Sequence, residues 1–102
     1  MDMILDQFPK LLKNKLQNHL KKILLFGSRA RGDCNDSSDY DFLIIVDKKD
    51  REIEDVVLEV SSYLLGEFNE LIGFIIWEES EWQFKKRFPI GLNIQKEGRE
   101  LK

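Results

Sequence analysis

Cysteine is nearly absent. Cys34 is the only one, so no internal disulfide can form, and packing must hold the fold together. Lying in a polar stretch, it reads as a neutral loop residue and not as a nucleophile. Long apolar runs are also missing, which excludes a membrane-spanning helix, and no segment is repetitive or of low complexity. Asp2 and Asp6 interrupt the beginning of the chain, and no small-residue cleavage site follows. The chain is therefore expected to lack a secretory signal and to be cytoplasmic. Nor is there an excess of positive charge: sixteen Lys and Arg against nineteen Asp and Glu give a formal net charge of −3. That balance argues against binding long nucleic acid through a basic surface, while a small anionic nucleotide held by metal stays compatible. Histidine is reduced to His19. It falls at the end of an expected helix, where a stabilising interaction with the helix terminus is expected rather than catalysis.

What is present describes an ordinary globular protein, with 42% hydrophobic and 34% charged residues. A chain of 102 residues is read as a single domain, residues 1–102, with a real core but no room for a separate substrate domain. Leu5, Phe8, Leu12, Leu16 and Leu20 recur at helical spacing and predict an amphipathic helix over roughly residues 3 to 19, with Pro9 marking its first turn or a break. Ile23 to Phe26 and Phe42 to Val46 read as buried strands. Between the second strand and the next apolar run, Asp47 and Asp50 are N-cap candidates for a helix lined by Ile53, Val56, Val57, Val60 and Leu64, with Gly66 near its end. Leu71 to Trp77 is the third strand. An acidic start at Glu78 to Glu81 favours a helix carrying Trp82, Phe84 and Phe88, ended by Pro89. A last short helix spans Ile90 to Glu97, before Gly98. Helices alternating with buried strands predict an α/β or α+β domain: a small mixed β-sheet, covered mainly on one side by helices.

The chemistry is expected between Gly27 and Asp41, in G-S-R-A-R-G-D-C-N-D-S-S-D-Y-D. Gly27 ends the first strand at a sharp turn, and Gly27 and Ser28 offer backbone N–H groups and a hydroxyl with little bulk, which suits close approach of a triphosphate. A short helix is expected from Ser28 to Arg31, its first amides facing the phosphates. Asp39 and Asp41 open the second strand, and residues two apart on a strand leave the same face, so both carboxylates can reach one cation or a pair. Magnesium is often held by one or two carboxylates with substrate phosphates completing its shell. Tyr40, between them, points the other way and reads as packing.

Gly27-Ser28, ten intervening residues and Asp39-Tyr40-Asp41 together resemble the signature of the polymerase-β-like nucleotidyltransferases. The fuller G-S-R-A-R-G and S-D-Y-D-F are similar to their minimal members, which are often encoded beside a HEPN partner as toxin–antitoxin pairs. That resemblance implies the polymerase-β-like fold, with the metal site on an open face of the sheet. It also implies Asp39 and Asp41 as Mg2+ ligands, Gly27 and Ser28 as the cradle of the outer phosphates of ATP, and Arg29 and Arg31 beside them. Arg31 is the arginine expected to offset charge on the leaving pyrophosphate. The implied partner is a HEPN-type toxin in a hetero-oligomer.

The chain departs from the family pattern in one place. Active members usually carry a third carboxylate on the strand after the intervening helix, where it helps hold metal and can deprotonate the nucleophile. The run Leu71-Ile72-Gly73-Phe74-Ile75-Ile76-Trp77 contains no acid, and Gly73 falls at that position. Glu70 is the nearest substitute and the candidate third catalytic residue, ahead of Asp47 and Glu67. Two functions follow: a Mg2+-dependent enzyme moving AMP from ATP onto a hydroxyl, by resemblance a tyrosine of a HEPN toxin, or a weak or inactive antitoxin that neutralises its partner by contact. A partner surface is expected from the C-terminal third, where Trp77, Trp82, Phe84, Phe88, Ile90, Leu92 and Ile94 exceed what a small core needs.

Overall fold

The computed structural model describes residues 2–27 and 40–101. Ser28, Arg29, Arg31, Cys34 and Asp39, with the helix expected from Ser28, lie outside the described residues. Helix α1 (Met3–Leu16) is opened by Asp2, whose carboxylate accepts from the N–H groups of Ile4 (3.0 Å) and Leu5 (3.1 Å). Its second oxygen accepts the Tyr40 hydroxyl hydrogen at 2.7 Å, so one side chain both caps the helix and anchors a buried tyrosine. Ile4, Phe8, Leu12 and Leu16, four residues apart, form the buried stripe of α1. Pro9 neither breaks the helix nor marks its first turn: it lies buried inside α1. Packing of the stripe outweighs the roughly 3 kcal/mol that an interior proline costs.

The helix stops earlier than its periodicity predicts, because Gln17 takes a positive φ of 51°. A 3-10 turn (Gln17–His19) leads into β1 (Leu20–Phe26), which starts before its apolar run. After β2 (Tyr40–Val46), Asp50 rather than Asp47 caps α2 (Arg51–Phe68), accepting from the Ile53 N–H at 2.9 Å. Helix α2 runs through Gly66 and ends at Asn69, which takes the left-handed conformation at φ 53°. Strand β3 (Ile72–Glu78) and helix α3 (Glu79–Lys85) follow, with the Glu78 N–H donating to Glu81 at the start of α3. Pro89 does not end α3; it opens α4 (Pro89–Glu97) at a position where its missing N–H costs nothing. A short strand β4 (Arg99–Leu101), not expected from sequence, closes the described chain.

The four strands form one mixed sheet in the order β3-β2-β1-β4. Strand β1 is antiparallel to β2 and β4, whereas β2 and β3 are parallel, which the long crossover through α2 permits. Alternation along the strands divides the apolar residues between two faces. Leu25, Phe42, Ile44, Val46 and Ile76 meet α1 and α2 on one; Leu24, Leu43, Ile45 and Trp77 meet Trp82 and Ile94 on the other. The second face is thus covered over part of its length by α3 and α4, more than the sequence predicts. The expected mixed sheet flanked by helices is present. No helix among the described residues is long and apolar enough to cross a membrane.

Candidate active site

The second face carries more than hydrophobic residues. Asp41 is paired with Phe26 across the antiparallel ladder and with Gly73 across the parallel one, so it stands in the middle of the sheet near the end of β1. Tyr40 and Phe42, its neighbours, turn into the first core, and Asp41 alone of the three takes the opposite face, half-buried.

A glycine stands on either flank of that carboxylate. A Cβ on Gly27 would lie 2.6 Å from Asp41 Oδ2, and one on Gly73 would lie 3.2 Å from Asp41 Oδ1. The carboxylate therefore occupies a slot that side chains on its neighbours would narrow or close. Gly27 also has a φ of +80°, a conformation that an L side chain resists, so the turn at the end of β1 requires glycine twice over. Gly73 has no such backbone requirement, since Gly27 is the only glycine with positive φ among the described residues. Space beside Asp41, not chain conformation, is what a larger residue at 73 would take. Gly27→Ala is expected to lower stability by about 1–2 kcal/mol and, if the expected triphosphate binds at this turn, to weaken that binding at least roughly tenfold. Calorimetric titration alongside thermal unfolding checks both.

Of the expected site residues, the structure brings Gly27 and Asp41 together and sets Gly73 beside them. Glu70 lies elsewhere: it lines a cleft with Asp2, Ile4, Tyr40 and Phe68, on the face that Tyr40 takes. Strand β2 stands between that cleft and the Asp41 slot. Asp47 is at the other end of β2, where both its carboxylate oxygens lie near His19 Nδ1, at 3.2 and 3.0 Å. Loss of hydration would raise the pKa of Asp47. The hydrogen bonds from His19 and the Lys48 N–H, with the charges of His19 and Lys21, outweigh it and hold the carboxyl below its ordinary value. Asp47 and His19 therefore form a structural pair remote from Asp41, and Glu67 is exposed on α2.

The donor set suits the metal that the motif implies. Asp41 offers hard carboxylate oxygens with a glycine on either flank, and its motif partner Asp39 precedes it by two residues.

Comparison with known proteins points the same way. The family described as "Polymerase beta, Nucleotidyltransferase" matches residues 10–99. A Methanocaldococcus jannaschii protein named "putative protein adenylyltransferase" is 35% identical over 97 residues, covering 95% of this chain and 93% of its own. Among solved structures, a variant of the toxin–antitoxin pair MntA–HpeT superposes with a TM-score of 0.67 at 18% identity, over 100% of this chain and 72% of that one. The complex of tri-AMPylated Shewanella oneidensis HEPN toxin with MNT antitoxin gives 0.57 at 16% identity, over 98% and 70%. These structural likenesses are of fold. With the family match spanning nearly the whole chain and a relative similar end to end, this protein belongs to the polymerase-β nucleotidyltransferase family.

Proposed function

We propose that the chain is a Mg2+-dependent adenylyltransferase and antitoxin that moves AMP from ATP onto a tyrosine of a HEPN-type toxin in the cytoplasm. The observation that carries this reading is the Asp41 carboxylate, held between Gly27 and Gly73 at the turn ending β1. Residues 1–102 serve as one minimal transferase domain, with the acceptor supplied by the partner.

Asp39 and Asp41 would hold the metal, which when bound neutralises phosphate charge and draws electron density from the reacting phosphorus. Gly27 and Ser28 cradle the outer phosphates through backbone N–H groups, with Arg29 and Arg31 beside them; Arg31 offsets charge on the departing pyrophosphate. The acceptor oxygen forms a bond to the α-phosphorus as the bond from that phosphorus to the bridging oxygen of the β-phosphate breaks. The electron pair leaves with pyrophosphate, and the hydroxyl proton passes to solvent or a base. By the family resemblance, Gly73 falls at the position where a third carboxylate is expected. A phenol, with a pKa of about 10, gives up its proton far more readily than an aliphatic alcohol, which suits a site short of a base. Relatives' names support the reading: the Methanocaldococcus protein is named for protein adenylylation, and the Shewanella toxin carries AMP in complex with its antitoxin.

The same glycine favours a second reading, a catalytically weak antitoxin that acts by contact. Incubation with labelled ATP, Mg2+ and the co-encoded partner separates the two, since label on the partner requires transfer. Glu70 is the candidate replacement base, yet its cleft opens on the other face of the sheet. Glu70→Gln is therefore expected to leave turnover within about twofold, and a loss nearer the roughly hundredfold typical of a missing base would give Glu70 that role. Gly73→Asp is the counterpart: a gain in transfer of about tenfold or more would mark a site that lacks its base, and a loss would show that the added side chain narrows the Asp41 slot.

A further inference from the structure

Gly27, which flanks the Asp41 carboxylate, also lines a cleft of ≈430 Å³ together with Phe26, Ile90, Asn93, Ile94 and Glu97. Phe26 is the register partner of Asp41, so both side chains leave the same face of the sheet. The opposite wall is helix α4. Ile90, Asn93, Ile94 and Glu97 are spaced at i, i+3, i+4 and i+7, which aligns them along one side of that helix.

Their burial differs in a way that folding alone does not require. Ile94 is 3% exposed and locked into the second core, whereas Ile90, one turn earlier on the same side, is left 51% exposed. The arrangement is therefore an open slot, floored by Ile94, with Phe26 on one wall and Ile90 on the other. Two apolar walls and few polar groups suit a flat heterocycle. Asn93 supplies one acceptor and two donors side by side in a plane, the pattern that pairs with the edge of a nucleobase. The volume also accommodates a nucleoside, since small-molecule clefts begin at roughly 300 Å³.

We propose that this cleft holds the base and sugar of the nucleotide, with Phe26 and Ile90 flanking the base and Asn93 reading its edge. The proposal rests on the nucleotide site at Gly27 and Asp41 and adds to it the residues that select the nucleotide. The topology makes the assignment directional. The cleft lies on the β1 flank of Asp41, where Phe26 and Gly27 line it. The β3 flank, at Gly73, is left for the acceptor.

Calorimetry with Mg2+ and ATP, GTP or inorganic tripolyphosphate tests this in the intact chain, in Asn93→Asp and in Ile90→Ala. Both positions are exposed, so both variants should keep the wild-type unfolding midpoint. The wild type should bind ATP at least about tenfold tighter than tripolyphosphate. Ile90→Ala should narrow that gap severalfold. In Asn93→Asp, a carboxylate that only accepts should move the ATP-to-GTP preference toward GTP by about tenfold, because guanine presents two adjacent N–H donors. Tripolyphosphate measures any general repulsion from the added charge. If the wild type binds ATP and tripolyphosphate alike, or the variants weaken both equally, the nucleoside is not in this cleft and the phosphate site stands without it. If the wild type binds neither, both the cleft and the site beneath it are overturned.

Discussion

Asp41→Asn should lower AMP transfer by roughly a hundredfold or more while leaving the unfolding midpoint close to that of the wild type. The carboxamide has nearly the same shape as the carboxylate, so it fits the slot between Gly27 and Gly73 without a new clash. What it loses is charge and one hard oxygen donor, both of which would serve to hold a divalent metal there. The effect should therefore show in binding as well as in rate: ATP titrated with and without Mg2+ should reveal metal dependence in the wild type and little in the variant. Asp39→Asn should behave alike if the two carboxylates share one metal site. Metal-dependent binding that survived in both variants would remove these residues from the site.

The second large effect is on folding. Trp82 is 5% exposed, and its ring stacks on Trp77 with centroids 6.0 Å apart, in the small core on the Asp41 side of the sheet. Trp82→Ala should cost about 3–5 kcal/mol, a large part of the roughly 5–15 kcal/mol that a domain of this size has in total. Phe88→Ala should behave oppositely. Phe88 is 46% exposed and leans on Phe84, itself 62% exposed, at 5.0 Å between ring centroids. With Leu92 they form an apolar patch beside Lys86 and Arg87, the pattern of anchors and charged rim that protein interfaces use. Loss of Phe88 should change stability by less than about 1 kcal/mol and weaken partner association at least tenfold. Thermal unfolding of both variants, with a pull-down of the proposed HEPN-type partner, measures the contrast. A Phe88 variant that unfolds like the Trp82 variant would return the patch to the core.

That contrast marks where local pattern stops informing. In sequence the C-terminal aromatic and aliphatic residues read as one excess of apolar bulk; in the structure Trp77, Trp82 and Ile94 are core, and Phe84, Phe88, Ile90 and Leu92 are exposed. Both groups are large apolar side chains drawn from the same stretch of chain. What separates them is whether the sheet's second face passes beneath, and that depends on strand pairing between residues far apart in the chain. Strand β4 escaped notice for a related reason: three residues are too few to show alternation, and their extended form comes from pairing with Ile23 to Leu25. Pro9 misled because its local cost is fixed, while the gain from burying Ile4, Phe8, Leu12 and Leu16 on the sheet is tertiary.

By itself the sequence determined the order of the four described α-helices and the three long apolar strands, the turn at Gly27 and the placing of Asp41 at the start of the second strand. Each rests on interactions within a few residues: side-chain periodicity, backbone freedom at glycine, a carboxylate next to an apolar run. Only the tertiary structure decided that Gly73 is the direct neighbour of Asp41, that Glu70 belongs to the opposite face, and that α4 walls a cleft beside Gly27. Register and facing are set by the joint burial of distant strands, and a one-residue slip would exchange every inward and outward side chain.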